Sequence, residues 1–249
     1  MLDLEFCSLK IRVSAVQPSP QPPISYNRSM SSSAVEKARV AFRERRIGPR
    51  YSGPLHLATT ISVSLLIALA SASMLEGVRA LEWLTIPLTF LYANLSEYLG
   101  HRGPMHHRTQ FLTKVFERHS IEHHSFFTNE AATFDSSQDY KAVLFPPILL
   151  FFFIGGFAIP VGALLYWLIS PNVCFLFILT AVLYFLNYEL LHFAYHADPA
   201  SWLGRLPFMS RLRQHHITHH NRQLMTRFNF NITYPICDRI FGTLYRADT

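Results

Sequence analysis

The sequence predicts an all-α integral membrane protein: about four transmembrane helices bearing a histidine-rich helical cap on the cytosolic side. Three observations lead there. Half of the 249 residues are hydrophobic and 14% are aromatic, high for a soluble chain of this length. Apolar stretches free of Asp, Glu, Lys and Arg recur at lengths suited to a hydrocarbon core of about 30 Å, at ~1.5 Å of helix per residue. Twelve of the thirteen histidines fall into four groups, at the ends of those stretches or between them.

Residues 1–35 are rich in Ser and Pro, and Pro18, Pro20, Pro22 and Pro23 break any helix, so a disordered tail is expected. Met30 opens a more ordinary-looking start, M-S-S-S-A-V-E-K, which makes residues 1–29 read as an upstream extension. Residues 36–54 carry Lys37, Arg39, Arg43, Arg45, Arg46 and Arg50 against two glutamates. An apolar span begins just beyond, so this segment reads as a juxtamembrane anchor. A nucleic-acid arm is the rival reading. The chain's basic residues (formal net charge +6) flank apolar spans and build no aromatic-interleaved patch, so no nucleic acid is expected.

Residues 55–249 form the membrane domain. Residues 55–75 are uncharged and long enough to span; Glu76, Arg79 and Glu82 mark the turn that follows. Trp83 opens a second run to about Ser96, prolonged through Glu97 to His101. Residues 143–169 are uncharged but interrupted by Pro146-Pro147, Gly155-Gly156 and Pro160, which suits a kinked span or a re-entrant element with a span. After Ser170-Pro171-Asn172, residues 173–188 form a fourth run that continues into E-L-L-H-F-A-Y-H. Five Lys/Arg lie in residues 100–142 and seven beyond residue 196, against one and none in the two turns. That asymmetry puts both termini, the central loop and every histidine group in the cytoplasm. Cys7, Cys174 and Cys237 form neither a C-x-x-C pair nor a disulfide framework.

The histidines carry the chemistry. The stretch Q-H-H-I-T-H-H-N begins at Gln214, and on a helix His216, His219 and His220 share a face. His192 and His196 stand four apart, one turn above Glu189. His119 and His123 also stand four apart, with His124 rotated by about 100°. His101 and His106 are five apart, and Gly103-Pro104 between them supplies a local break that turns both inward. So many imidazoles exceed one ion and suit two. An all-histidine shell favours iron or zinc, with open positions where oxygen binds. Glu97, Glu122, Asn187 and Glu189 lie within a turn of histidines and are candidates to orient ring N–H groups. Phe126, Phe127, Phe134, Tyr140, Phe151, Phe152 and Phe153 are candidates to line an acyl channel. Only His56 stands apart.

H-x4-H at His101, H-x3-H-H at His119, H-x3-H at His192 and H-x2-H-H at His216 resemble the boxes of the integral-membrane fatty acid hydroxylase and sterol desaturase superfamily. E-Y-L-G-H-R-G-P-M-H, F-P-P, Y-E-L-L-H-F-A-Y-H, H-H-I-T-H-H and F-N-F-N-I-T-Y-P-I-C-D-R-I-F-G-T-L resemble its fatty acid 2-hydroxylase branch, over about residues 91–245. The resemblance implies a di-iron centre (zinc as a possible isolated form) that uses O2 to hydroxylate a lipid or fatty acyl chain. By position it implies His101, His106, His119, His123, His124, His192, His196, His216, His219 and His220 as ligands. His215 and His107 match less firmly and are assigned, with Glu97, Asn187 and Glu189, to a supporting shell. Phe228 to Asn231, Asp238 and Gly242-Thr243 match the closing motif and are expected to brace the cap.

The chain departs from that branch at two points. The cytochrome b5-like domain fused to several lipid 2-hydroxylases has no counterpart here, so a separate donor is expected, cytochrome b5-like or a ferredoxin with its reductase. The loop between His124 and Phe145 is also longer than the branch leads one to expect. The same boxes serve a sterol or carotenoid oxygenase or a lipid desaturase. A metal transporter would set its histidines within the spans, and a membrane cytochrome would bury paired axial histidines in the bilayer.

Overall fold

A computed structural model describes residues 32–146, 149–150 and 153–246. The expected tail, up to residue 31, lies outside them, as do Phe151 and Phe152. The described residues are helical with no strand: α1 (Ser32–Arg46), α2 (Gly53–Ser73), α3 (Thr85–Gly100), α4 (Thr113–Phe116), α5 (Tyr140–Val143), α6 (Ile159–Leu168), α7 (Pro171–His196), α8 (Met209–His219) and α9 (Ile236–Ile240). Helix α1 begins at Ser32, inside the stretch read as tail.

Local chemistry sets the helix starts. Ser52 and Ser170 accept the N–H groups of Leu55 and Val173, and Pro54 and Pro171 occupy the first turns, where a missing N–H costs nothing. Helix α7 is the central element, packed against α2, α3 and α6. The face that α2 buries is small or polar, namely Gly53, His56, Thr60, Ser64, Ala68 and Ser71. Leu55, Leu65, Leu66 and Leu69 of the same helix are exposed. Helix α3 repeats the inversion, burying Thr85, Thr89, Asn94 and Tyr98 while Leu88, Leu91 and Leu95 face out. An apolar exterior around a polar interior suits helices solvated by lipid, which pack by close approach of small side chains. At Gly162 an added Cβ would come within 3.1 Å of Ile178 and 3.3 Å of the Cys174 Sγ.

Among the described residues, two helices, α2 and α7, are long and apolar enough to cross a membrane. Helix α3, at 16 residues, and the stretch Ile154–Leu168 are apolar but shorter. The two turns with few basic residues meet at one end of the bundle. Asn172 donates to the Glu76 carbonyl (2.9 Å) and to Glu82 (3.1 Å), and the Ser170 hydroxyl donates to Glu82. The histidines sit at the opposite ends of α3 and α7.

The closing segment braces the histidine end as expected. Asp238 accepts the N–H groups of Phe230 and Asn231 and the Thr243 hydroxyl, while the Asn231 side chain ties Cys237 N–H to the Asn94 carbonyl. Gly242 turns the chain at φ +70°, a conformation that glycine adopts without strain. Cys174 and Cys237 are free and buried.

Candidate metal centre

Three local distortions aim the rings. After α3 the chain widens into a π-helical turn, His101–Met105, and Gly103 leaves helical geometry at ψ −106°. That break brings His101 and His106 together although they are five apart. A second π-helical stretch, Glu117–His123, follows α4 and rotates His119 and His123 onto neighbouring sites. Such widened turns concentrate at functional sites. Helices α7 and α8 supply His192 and His196, and His216 and His219, with His220 just past the end of α8.

Ten histidines gather in two buried quintets. One holds His101, His106, His119, His124 and His219; the other holds His123, His192, His196, His216 and His220, and within each quintet one ring nitrogen per residue lies within 4.8 Å of the rest. The quintets abut: the His124 and His220 rings are 4.4 Å apart between centroids, and His119 stacks on His123 at 5.2 Å. Each adjacent pair, His123-His124 and His219-His220, is divided between the two groups.

The hydrogen bonds fix the tautomers. Nδ1 of His101 donates to the Phe230 carbonyl, and that of His219 to Phe228 (2.9 Å). The Ser120 hydroxyl gives its proton to the Met105 carbonyl (2.7 Å), so its oxygen accepts from His106 Nδ1 (3.1 Å). In the second quintet, Nδ1 of His123, His196 and His220 donates to the carbonyls of Ala142 (2.9 Å), Ala132 (2.7 Å) and Phe127 (2.8 Å). A neutral ring that donates from Nδ1 presents a bare lone pair at Nε2. Yet His106 Nε2 lies 3.1 Å from that of His101 and 2.9 Å from that of His219. Lone pairs converging so closely repel unless a cation lies among them. In the second quintet His216 Nε2 sits 3.0 Å from both His196 and His220. This donor set fits a metal ion in each quintet. Burial also drives the proton off the rings: His101 is pushed down to about 4, and His106, His119, His123, His124, His216, His219 and His220 fall well below the usual histidine range. Neutral imidazole is the ligand form.

The expected carboxylate partners are not what hold the rings. Glu97 accepts Thr233 N–H (2.9 Å), the Ile232 N–H and the Thr233 and Tyr184 hydroxyls, and touches no histidine. Glu189 accepts Phe145 N–H (3.0 Å), Glu122 pairs with Arg46, and Asn187 meets only the Tyr234 hydroxyl at 3.5 Å. Glu97 and Glu189 stand a turn before His101 and His192, yet their oxygens reach the N–H groups of Thr233 and Phe145 instead, and backbone carbonyls took the role of orienting the rings. Glu97 acts one step back, fixing the segment whose Phe230 carbonyl orients His101. His107 is exposed, with Nδ1 on the Arg102 carbonyl, and joins neither quintet; His215 bonds the Asn231 carbonyl (2.9 Å) and lies 3.5 Å from Asp238. His56 is buried between the Tyr51 hydroxyl and the Phe145 carbonyl, both at 3.0 Å.

A cavity of about 1480 Å³ runs from the spanning helices to these rings. His101 and His119 of one quintet and His123 and His192 of the other line it, so it reaches both. Its apolar wall includes Leu144, Phe145, Phe153, Phe157, Phe177 and Phe185. The aromatic set expected at the channel is mostly elsewhere: Phe126, Phe127, Phe134 and Tyr140 pack in the core beneath the cap, and of the described members only Phe153 lines the cavity.

Arg39 braces this end of the molecule, and motif spacing does not mark it. It donates to the carbonyls of Phe126 (3.0 Å), Ala131 (3.0 Å) and Thr133 (2.8 Å) and pairs with Asp135. These contacts hold the loop whose Phe127 and Ala132 carbonyls orient His220 and His196. The available signal was an arginine on the Val35–Phe42 stripe of an otherwise amphipathic helix, at core-facing spacing.

A family model for fatty acid hydroxylases matches residues 86–243. The chain belongs to the fatty acid hydroxylase family. A solved structure described as full-length Scs7p, with only its hydroxylase domain visible, matches with a TM-score of 0.53 at 18% identity, covering 80% of this chain and 68% of that one. At that identity the likeness shows a shared fold. No match was found among curated proteins. Membership in the fatty acid hydroxylase family makes the chain a membrane-associated oxidoreductase acting on lipid. Helix α1 and α2 lie outside the matched residues, although α1 is bonded into the histidine end.

Proposed function

We propose that this fatty acid hydroxylase is a di-iron oxygenase of the 2-hydroxylase type, hydroxylating a fatty acyl chain with electrons from a separate donor protein. The observation that carries the reading is the cavity that reaches two rings of each quintet, with ring nitrogens converging in both. Five nitrogens per quintet would hold each ion, and the ten named histidines are the proposed ligands. The redox chemistry supplied by bound iron is insertion of one oxygen atom of O2 into an unactivated C–H bond, the other leaving as water with two electrons and two protons.

The chain's own part is positioning and exclusion. The apolar wall aligns an extended acyl chain and keeps bulk water from the reacting carbon. The carbonyls of Phe127, Ala132, Ala142, Phe228 and Phe230 hold the rings of His220, His196, His123, His219 and His101 with Nδ1 protonated and Nε2 turned inward, so these five need not reorient during turnover. Residues 55–249 are the proposed working domain, with four crossings formed by α2, α3, the segment ending in α6, and α7. The basic segment 36–54 and the quintets are then cytoplasmic, where a cytochrome b5-like or ferredoxin donor reaches them.

Lipid analysis of a host expressing the chain under 18O2, against one expressing His219→Ala, tests the reading. A fatty acyl product carrying one 18O, absent in the variant, is the expected result. Loss of two hydrogens without 18O would make it a desaturase, and an oxidised sterol or carotenoid would change the substrate. The purified protein is expected to be inert with O2 alone and to turn over once a reductase and carrier are added.

A further inference from the structure

The polar lining of the cavity where it meets the cap is divided in charge. Its inner end is neutral imidazole, whereas Arg45, Arg46, Arg50, Lys114, Arg118 and Lys141 line its mouth. The acids there are few. Glu97 and Glu117 also line the cavity, and Glu122 is shared between Arg46 (2.6 Å) and Arg118 (3.5 Å). Lys141 is half-buried, with its ammonium 4.9 Å from the centre of the Tyr51 ring, and no carboxylate pairs with it among the described residues. Ion pairs that served only to fasten α1 to the cap would end with Arg46, Arg118 and Glu122. Lys141 adds a further cation, partly withdrawn from water and facing the lumen.

From this geometry we infer that the mouth selects an acyl lipid with an anionic phosphate-ester head group, gripped by Lys141 with Arg46, Arg118 and Lys114. A half-buried cation gains most from an anion that shares its partly dehydrated site, because charge-assisted hydrogen bonds strengthen there. A neutral head group would leave Lys141 desolvated and unneutralised. The apolar wall takes the chain, so head and tail are bound by different parts of one cavity. This inference rests on the proposed lipid oxidation only in treating the cavity as the substrate site.

Binding tests it without turnover. The full chain as purified, in nanodiscs of zwitterionic phosphatidylcholine and without electron donor, is titrated with hexadecyl phosphate, hexadecanol and inorganic phosphate. Hexadecyl phosphate is expected to bind about tenfold or more tighter than hexadecanol, the scale of one charged hydrogen bond, with a preference that shrinks as salt rises. Lys141→Gln should abolish most of that preference and Lys141→Arg should keep it. If Lys141→Gln fails to fold, the exposed Lys114→Gln and the salt dependence of the unaltered chain carry the test. Equal binding of alcohol and phosphate, or an unchanged preference in Lys141→Gln, overturns the inference. So does competition by inorganic phosphate alone as strong as that by hexadecyl phosphate, since that would mark a simple anion site. Anion-selective binding in a protein that oxidises no acyl chain would sink the proposed function and leave this inference standing. Oxidation of neutral lipids without anion preference would do the reverse.

Discussion

The guanidinium of Arg39 lies 5.0 Å from the centre of the Phe126 ring and donates from Nε to that residue's own carbonyl at 3.0 Å. One planar fork thereby fixes both the side chain and the backbone of a residue two positions after a histidine of the first quintet. The same group reaches Ala131, Thr133 and Asp135. Arg39→Gln is expected to cost about 1–3 kcal/mol, the scale of stranding buried acceptors. It should also lower metal retained per protein, because the carbonyls of Phe127 and Ala132 lose their anchor. Arg39→Lys should not rescue, since an ammonium cannot serve four divergent acceptors. Melting in nanodiscs and metal analysis read the two effects; normal metal content in both variants would deny Arg39 its role.

Metal analysis also separates the quintets from their neighbours. His123→Ala and His220→Ala should each lower bound metal and remove activity, with membrane insertion intact. His56→Ala and His107→Ala should leave metal unchanged, for neither ring joins a quintet. His215→Ala should lower activity more than metal, by roughly 10- to 100-fold as for other groups that support a ligand. A stoichiometry near one, unaltered in the His123 and His220 variants, would end the two-ion proposal.

Topology has its own test. Tags at Ser33 and Thr249 should report the cytoplasm, and a tag at Asn172 the opposite side. Termini on different sides would mean an odd number of crossings and would separate α1 from the loop it holds.

The turn at the far end should be acid-sensitive. The Ser170 hydroxyl, the Arg79 N–H and guanidinium, and Asn172 hold the Glu82 carboxyl down at about 2. A carboxylate with a depressed folded-state value stabilises fully above its unfolded value, about 4.5, and that contribution fades as pH falls towards 2. The difference in melting temperature between the unaltered chain and Glu82→Gln should therefore be constant from pH 8 to about 5 and narrow below about 4.5. A difference that persists undiminished at pH 3 would show that the contact acts through shape alone.

The sequence reading went furthest where residue type itself carried the signal. Imidazole is so unusual at that density that all ten quintet positions stood out, and the Gly103-Pro104 break foretold how His101 and His106 meet. The division into quintets was not legible. It depends on two π-helical turns, and nothing in the letters H-H says that the rings of His123 and His124 part. The groups that orient the rings were invisible for a different reason: every residue owns a carbonyl, so Ala132 and Phe228 carry no mark. Glu97 and Glu189 share a helix face with His101 and His192, but their oxygens are taken by the N–H groups of Ile232, Thr233 and Phe145, partners that no motif marks. The membrane domain was legible from charge-free length for α2 and α7, whereas α3 and the interrupted third run fall short of a full span.

Adjacent residues that serve opposite quintets have a further effect. The peptide units joining His123 to His124 and His219 to His220 are common to both quintets, so ordering one aligns the backbone of two of the other's five histidines. If each quintet takes an ion, as proposed, the first would bear most of the conformational entropy and the second would meet rings already aligned, so uptake is expected to be cooperative, with little half-loaded protein in a titration. Damage to either quintet should empty both.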